Sequence, residues 1–232
     1  MEPSPSGSVV LVHGLWGDPH DWRWVREHLE RAEVDVLAVD LPSHRLPTAG
    51  LLEDAATVRE AIRHSVPPVV VAGWSYGGTV ISVAADGESC VTRLVYVSDV
   101  PSGARDHGFS DWIDQDPNVL TYADGTFVLN NDWWLDEEAG TTFSAAVRQE
   151  LRQHPRRRVP RKAMSDPQPA AAWQTIPTTL VLGRHDDQSG ANDLDALITR
   201  FPDTHILECD HFTIFREPAA VANIILRALR AQ

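Results

Sequence analysis

A serine flanked by glycines is the residue whose surroundings best suit chemistry. The sequence GWSYGG at residues 73–78 follows an apolar run of strand length and leads into a helical stretch. A sharp strand-to-helix turn holds its serine in a strained backbone conformation with the hydroxyl exposed. Gly73 and Gly77 leave room for that turn, and Gly78 allows the helix to pack closely. We therefore predict that Ser75 is a nucleophile, the alternative being a glycine-rich turn with a capping serine.

A second glycine-containing turn could stabilise negative charge on a substrate oxygen. The sequence HGLWG at residues 13–17 follows the first apolar run. Backbone N–H groups aimed at a developing oxyanion accelerate acyl transfer, and in a strand–serine–helix arrangement one of them belongs to the residue after the serine. We predict the N–H groups of Tyr76 and Leu15 as the two donors. A plain strand-to-helix turn is the alternative for residues 13–17.

Among ten histidines, His211 has the position that a general base needs. It follows the last apolar run by a few residues and precedes the final helical stretch. In a parallel sheet this lies at the carboxyl edge, where Ser75 also lies and where ligands bind. We expect His13 to shape its turn, His44 to be a loop residue and His185 to face solvent.

The acid that orients the imidazole is predicted at Asp186. The sequence GRHDD at residues 183–187 directly follows the fifth apolar run, and the interval to His211 has room for one helix and one strand. The order serine, acid, histidine is typical of such sites on an α/β sheet. Asp187 and Asp99, which follows the fourth run, stay as alternatives.

Six apolar runs alternate with longer amphipathic stretches. This alternation predicts an α/β fold in which helices cover both faces of a parallel sheet. The runs are rich in valine, leucine and isoleucine, as strands buried on both faces are. They comprise residues 8–12, 34–39, 68–72, 93–97, 178–182 and 204–207.

The alternation fails between residues 101 and 173, where polar and aromatic residues mix. A structureless connection of this length is improbable in a compact domain. We interpret 101–173 as a cap inserted into one domain, whose core comprises 1–100 and 174–232, and we expect a helix near 137–153. Aromatic side chains from core and cap are the candidate substrate pocket: Trp16, Trp74, Trp112, Trp133, Trp134 and Phe212.

Composition limits the classes of partner. A chain of 232 residues with 43% hydrophobic residues and a net charge of −13 suits one domain that repels nucleic acid and anionic membranes. The basic run RRRVPRK at residues 156–162 is interpreted as a solvated stretch, with an anion-attracting patch as the alternative.

No apolar run reaches the roughly 18 residues of a membrane span. The absence of a signal pattern and the presence of only two cysteines predict a cytoplasmic protein.

The chain resembles the α/β-hydrolase superfamily, most closely its small-capped branch of hydroxynitrile lyases, plant methylesterases and bacterial esterases. The residues that carry the resemblance are 12–14 (VHG), 40–42 (DLP), 73–78 (GWSYGG), 176–179 (IPTT), Asp186 and 210–212 (DHF). The resemblance implies a six-stranded sheet in the order 2-1-3-4-5-6 with a small helical cap. It also implies a triad of Ser75, Asp186 and His211 beneath that cap.

Two positions depart from the pattern of the superfamily. Many members have histidine where this chain has Trp74, and this position helps to shape the pocket. The similar members that release cyanide have lysine directly after the catalytic histidine, where this chain has Phe212. The only lysine is Lys162, in the basic run. Cyanohydrin cleavage is therefore not expected.

These features predict a serine hydrolase that cleaves a carboxylic ester or lactone, with an apolar or aromatic group, through an acyl-enzyme. The chemistry requires no metal and no organic cofactor. A ligand-binding receptor and a pathway cyclase or lyase on the same scaffold are the alternatives, since one fold hosts many functions. The oligomeric state stays open, with a homodimer as one option.

Overall fold

A parallel sheet forms the centre of the computed structural model, which describes residues 7–105, 108, 110–130, 135, 143–191 and 193–231. Six strands lie in the order β2-β1-β3-β4-β8-β9. Counted along the chain, this is the order 2-1-3-4-5-6 that the resemblance implies, so the predicted fold is confirmed. These strands are β1 (Ser8–Val12), β2 (Asp35–Val39), β3 (Val69–Trp74), β4 (Val91–Val97), β8 (Thr178–Gly183) and β9 (Thr204–Leu207).

Helices cover both faces of this sheet because alternate strand residues face opposite sides. Val10 and Val12 pack into the hydrophobic cluster that includes residues of α2 and α3. Val9 and Leu11 pack into a second cluster, with residues of α1 and α8. The helices are α1 (Arg23–Arg31), α2 (Leu51–His64), α3 (Tyr76–Ala84), α4 (Ala145–Gln153), α5 (Lys162–Ser165), α6 (Leu194–Arg200), α7 (Thr213–Arg216) and α8 (Pro218–Arg230). None of the helices in the described ranges is long and apolar enough to cross a membrane.

The segment between β4 and β8 contains a small sheet in addition to the helices expected for a small helical cap. It contains an antiparallel sheet of β5 (Val119–Thr121), β6 (Thr126–Leu129) and β7 (Val159–Pro160), in the order β5-β6-β7. All four residues of β6 are buried, so the sequence shows no polar–apolar alternation there. The predicted helix is present as α4, and the first part of its predicted range falls outside the described residues.

The basic run is not a solvated stretch, because acidic side chains of core and cap pair with its cations. The Arg156 guanidinium donates to both oxygens of Asp21 at 2.8 and 2.6 Å, and both side chains are buried. Arg158 stacks on the Tyr122 ring. The remaining pairs are Arg157 with Asp18 and Asp40, Arg161 with Asp114, and Lys162 with Glu53 and Asp166. This segment therefore joins the cap to the core.

Substituting Arg156 by methionine is expected to destabilise the fold strongly. The change keeps an aliphatic stem and leaves the Asp21 carboxylate buried without its bidentate partner. Removing one member of a buried ion pair costs about 3–5 kcal/mol in the free energy of unfolding. Urea denaturation followed by circular dichroism measures this quantity.

The matched control is Arg161→Met, because the Arg161–Asp114 pair is solvent-exposed. Exposed pairs contribute about 1 kcal/mol or less. Equal losses for the two variants would show that the buried pair contributes nothing beyond an ordinary surface contact.

Candidate active site

The turn at Ser75 has the strained geometry that its sequence predicts. Ser75 has φ 52° and ψ −124° and lies between β3 and α3. A Cβ at Gly73 would lie 2.4 Å from the Gly77 carbonyl, and one at Gly77 would lie 2.4 Å from the carbonyl oxygen of Val12. Only hydrogen fits at either position, so the two glycines permit the turn. The Ser75 N–H donates to the carbonyl of Val97 at 2.9 Å, which ties the turn to the end of β4.

His211 lies between Ser75 and Asp186. Its Nε2 is 3.0 Å from the Ser75 Oγ, and its Nδ1 is 3.0 Å from each carboxylate oxygen of Asp186. An ionised carboxylate only accepts hydrogen bonds, so Nδ1 carries the proton and Nε2 accepts from the serine hydroxyl. The structure thus brings together the three residues that the sequence analysis selected from separate elements.

The Asp186 carboxylate is fully buried and well supplied with donors. Its Oδ1 accepts from the N–H groups of Gln188 at 2.9 Å and Ser189 at 3.0 Å. Burial raises the pKa of Asp186, but the contact with His211 and the two backbone N–H groups outweigh it and hold the pKa below its usual value. Asp186 is therefore ionised at neutral pH.

The two alternative acids lie elsewhere. Asp187 is exposed at the pocket rim. Asp99 is half-buried after β4, and its Oδ2 packs against Gly78 so closely that a Cβ there would lie 2.2 Å away. Burial raises the pKa of Asp99 well above its usual range, and the nearby Arg105 charge and the Val100 N–H only partly oppose this. Neither carboxylate lies within 4.0 Å of an imidazole nitrogen of His211.

The predicted oxyanion donors flank the serine. Tyr76 is the first residue of α3, so its N–H has no partner within the helix. Leu15 lines the same pocket, next to Gly14. A Cβ at Gly14 would lie 2.8 Å from the Trp74 ring and 3.3 Å from the Ser75 Cβ, so the two turns are in close contact.

Contacts on both sides fix the backbone around Leu15. His13 Nδ1 donates to the Gly14 carbonyl at 2.9 Å, while its Nε2 accepts from the Leu41 N–H at 3.2 Å, so His13 shapes its turn. Trp16 has φ 63°, and its carbonyl accepts from the Arg157 N–H at 2.8 Å. The cap thus holds the turn from the other side.

A buried polar network lies behind Tyr76. Its hydroxyl donates to Asp54 Oδ2 at 2.8 Å, and Ser43 donates to the same carboxylate through Oγ at 2.6 Å and through N–H at 2.8 Å. Burial raises the pKa of Asp54 despite these donors. His44, expected in a loop, is buried and contacts the Ser43 Oγ at 2.9 Å, whereas His185 is exposed as predicted.

A family model described as the alpha/beta hydrolase family matches residues 9–224. The chain belongs to the alpha/beta hydrolase family. No curated protein sequence matches it significantly.

Solved structures of low sequence identity share the fold of this chain. The methylesterase MES16 from Arabidopsis superposes with a TM-score of 0.72 at 18% identity, covering 97% of this chain and 99% of that one. A pyrethroid hydrolase from Sphingobium faniae gives 0.74 at 15% identity, with 97% of each chain covered. Tomato methylketone synthase I gives 0.73 at 14% identity, covering 97% of this chain and 98% of that one.

The pocket of this hydrolase has a volume of about 640 Å³ above Ser75 and His211. Four of the predicted aromatic residues line it: Trp16, Trp74, Trp112 and Phe212. Trp74 also donates from Nε1 to the His211 carbonyl at 3.0 Å, so it positions the histidine loop. Trp133 and Trp134 lie outside the described residues.

Sequence reasoning missed a polar part of the lining. Ser98, with φ 50°, lines the pocket and contacts the Thr213 hydroxyl at 2.9 Å. Arg105 and Gln168 line it from the two ends of the cap. The polar residues after the fourth strand were a signal for Ser98. Arg105 and Gln168 belong to no motif, and only the folded cap brings them together.

Among the described residues, one group has the spacing of metal ligands: His20, Glu150 and His154. None of the three lines the pocket. His20 Nε2 contacts Glu150 at 2.8 Å, and Arg23 also pairs with that carboxylate. The group therefore joins α4 to the core as a hydrogen-bonded cluster.

Asp186→Asn is expected to lower kcat for ester hydrolysis by about 10⁴-fold, as the loss of the orienting carboxylate does in serine proteases. The amide cannot fix the same tautomer or stabilise an imidazolium. Steady-state kinetics on an activated ester measures the effect. Asp187→Asn and Asp99→Asn are matched controls and are expected to change kcat far less. A larger loss in Asp99→Asn would move the acid to the end of β4.

Proposed function

We propose that this protein is a serine hydrolase that cleaves a carboxylic ester or lactone through an acyl-enzyme on Ser75. One observation carries the proposal: the His211 imidazole contacts the Ser75 hydroxyl through one nitrogen and the Asp186 carboxylate through the other. Membership in the alpha/beta hydrolase family supports it. The esterases among the solved structures share the fold.

In the first step, Ser75 Oγ attacks the ester carbonyl carbon while His211 Nε2 removes the hydroxyl proton. The carbonyl oxygen becomes an oxyanion that accepts from the Leu15 and Tyr76 N–H groups. The tetrahedral intermediate collapses, the bond to the alcohol oxygen breaks, and His211 gives its proton to that oxygen. Asp186 stabilises the imidazolium between the two proton transfers.

In the second step, water replaces the alcohol. His211 Nε2 removes a proton from water as the water oxygen attacks the acyl carbon. The second intermediate collapses to release the carboxylic acid, and the proton returns to Ser75 Oγ. In a lactone, acid and alcohol remain in one product molecule.

Cyanohydrin cleavage remains disfavoured by the residue after His211. Phe212 is buried against the rings of Trp74 and Phe143, and its side chain carries no charge that could stabilise cyanide. The Lys162 ammonium pairs with Glu53 at 2.7 Å and with Asp166 at 2.8 Å. An ester hydrolase needs no ammonium there, so both observations favour hydrolysis.

Ser75→Ala tests the proposal. We expect kcat for 4-nitrophenyl acetate to fall by about 10³-fold or more, because the oxyanion donors alone cannot replace the nucleophile.

Ser65→Ala is the matched control, since Ser65 directly follows α2 and does not line the pocket. A folded Ser75→Ala protein with wild-type turnover would overturn the proposal in favour of a cyclase or lyase. Stable acylation of the wild type without turnover would instead identify a receptor.

A further inference from the structure

The Arg105 side chain lines the pocket, and the described residues supply few partners for its guanidinium. Its Nη2 donates to Gln168 Oε1 at 3.1 Å, which is its only side-chain hydrogen bond within the described ranges. Its Nε is buried without an acceptor, and none of the described carboxylates lies within 4.0 Å of it. By contrast, Arg156, which lines the same pocket, pairs with the Asp21 carboxylate. An arginine has five N–H donors, so Arg105 retains donors for a ligand.

Gln168 holds this guanidinium in place. The backbones of Arg105 and Gln168 pair in both directions, at 2.8 and 3.0 Å. The Gln168 side chain is buried and saturated: Oε1 also accepts from the Ser102 hydroxyl, and Nε2 donates to the carbonyls of Ser102 and Ala170. The Arg105 guanidinium therefore loses its hydrogen bond to the fixed Gln168 Oε1 if it reorients. Such preorganisation lowers the entropic cost of binding a ligand.

Asp99 lines the same pocket without engaging the guanidinium. The two side chains are farther apart than an ion pair, and Asp99 is packed against Gly78. Burial raises the pKa of the Asp99 carboxyl, which favours its neutral form. A carboxylate on the substrate would meet the other acidic side chains of this lining, Asp116, Asp166 and Asp187. A neutral oxygen acceptor therefore fits the space beside Arg105 better than an anion.

We propose that Arg105 is a specificity-determining residue that donates to a second carbonyl oxygen of the substrate, several bonds from the ester. The preferred substrates are then oxo-esters or oxo-lactones, in place of the wholly apolar esters that the aromatic residues suggest. The proposal rests on the hydrolase function proposed above. Loss of a charge-assisted hydrogen bond changes affinity by about 10- to 100-fold.

Matched esters test the proposal. Two pairs of 4-nitrophenyl esters vary the acyl half: 4-oxopentanoate with pentanoate, and 5-oxohexanoate with hexanoate. A third pair varies the alcohol half: 3-oxobutyl acetate with butyl acetate. In at least one pair, Arg105→Met is expected to lower kcat/KM for the oxo-ester about 10- to 100-fold and for the plain ester less than about 3-fold. Comparing each ester between proteins cancels differences in intrinsic reactivity.

Two variants control for structure. Arg158→Met makes the same change at an exposed position outside the pocket. It is expected to leave the ratio of kcat/KM for the oxo-ester to that for the plain ester unchanged in every pair. Arg105→Lys keeps the cation and stem, so it is expected to retain part of the preference. Equal losses of kcat/KM on oxo and plain esters in Arg105→Met would overturn the proposal. It would also be overturned if the wild type cleaved the 4-nitrophenyl monoester of succinate faster than 4-nitrophenyl 4-oxopentanoate, because that result would indicate recognition of a carboxylate.

A binding measurement separates this inference from the proposed function. Calorimetry with the Ser75→Ala protein compares the oxo and plain ester of each pair without turnover. Tighter binding of the oxo-ester that is lost in Ser75→Ala/Arg105→Met supports the subsite even in a protein that hydrolyses neither ester. If the wild type hydrolyses the esters but shows no Arg105-dependent preference for oxo-esters, the subsite is overturned and the proposed hydrolase function is unaffected.

Discussion

The close contact between the two sides of the turn at Ser75 is the constraint on which the site depends. Gly73 and Gly77 touch through their backbones, and this contact places the serine at positive φ. Such strain costs about 1–3 kcal/mol and persists only where the surrounding structure holds it. Here β3, β4 and the turn after β1 all contact the segment, so packing in the buried sheet offsets the free energy of this strain.

The histidine loop is bonded to this turn, and the cap is bonded to the neighbouring turn after β1. The Trp74 indole donates to the His211 carbonyl, so the residue before the nucleophile fixes the position of the base. The basic run holds the cap on the core through Arg156 and Arg157, and the Arg157 N–H also binds the Trp16 carbonyl. The positions of the histidine loop, the cap and the two turns beside Ser75 therefore depend on one another through a few contacts.

Local signals made much of this arrangement predictable. Apolar runs located the six core strands, and the glycine spacing around Ser75 identified the turn. Position at the carboxyl edge singled out His211 and Asp186, because strand ends in a parallel sheet meet at one edge.

Features that depend on distant pairing were not predictable in the same way. The cations of residues 156–162 look solvated until the fold brings Asp21 and Asp40 beside them. His44 lies in a polar stretch but becomes buried against Ser43 and His13. Strand β6 is buried throughout, so its sequence lacks the alternation that marks a surface strand. The Arg105 side chain is held by Gln168, which lies at the other end of the cap segment and is far from it in the sequence.

The central claim is that Ser75 carries the acyl group. The most direct measurement is peptide mapping by mass spectrometry after reaction with 4-nitrophenyl dimethylcarbamate, whose carbamoyl group leaves serine slowly. The account predicts release of one 4-nitrophenol per chain and one carbamoyl group on Ser75, and neither in Ser75→Ala. A carbamoyl group on another residue, or an unmodified Ser75 in protein that hydrolyses 4-nitrophenyl acetate, would contradict it.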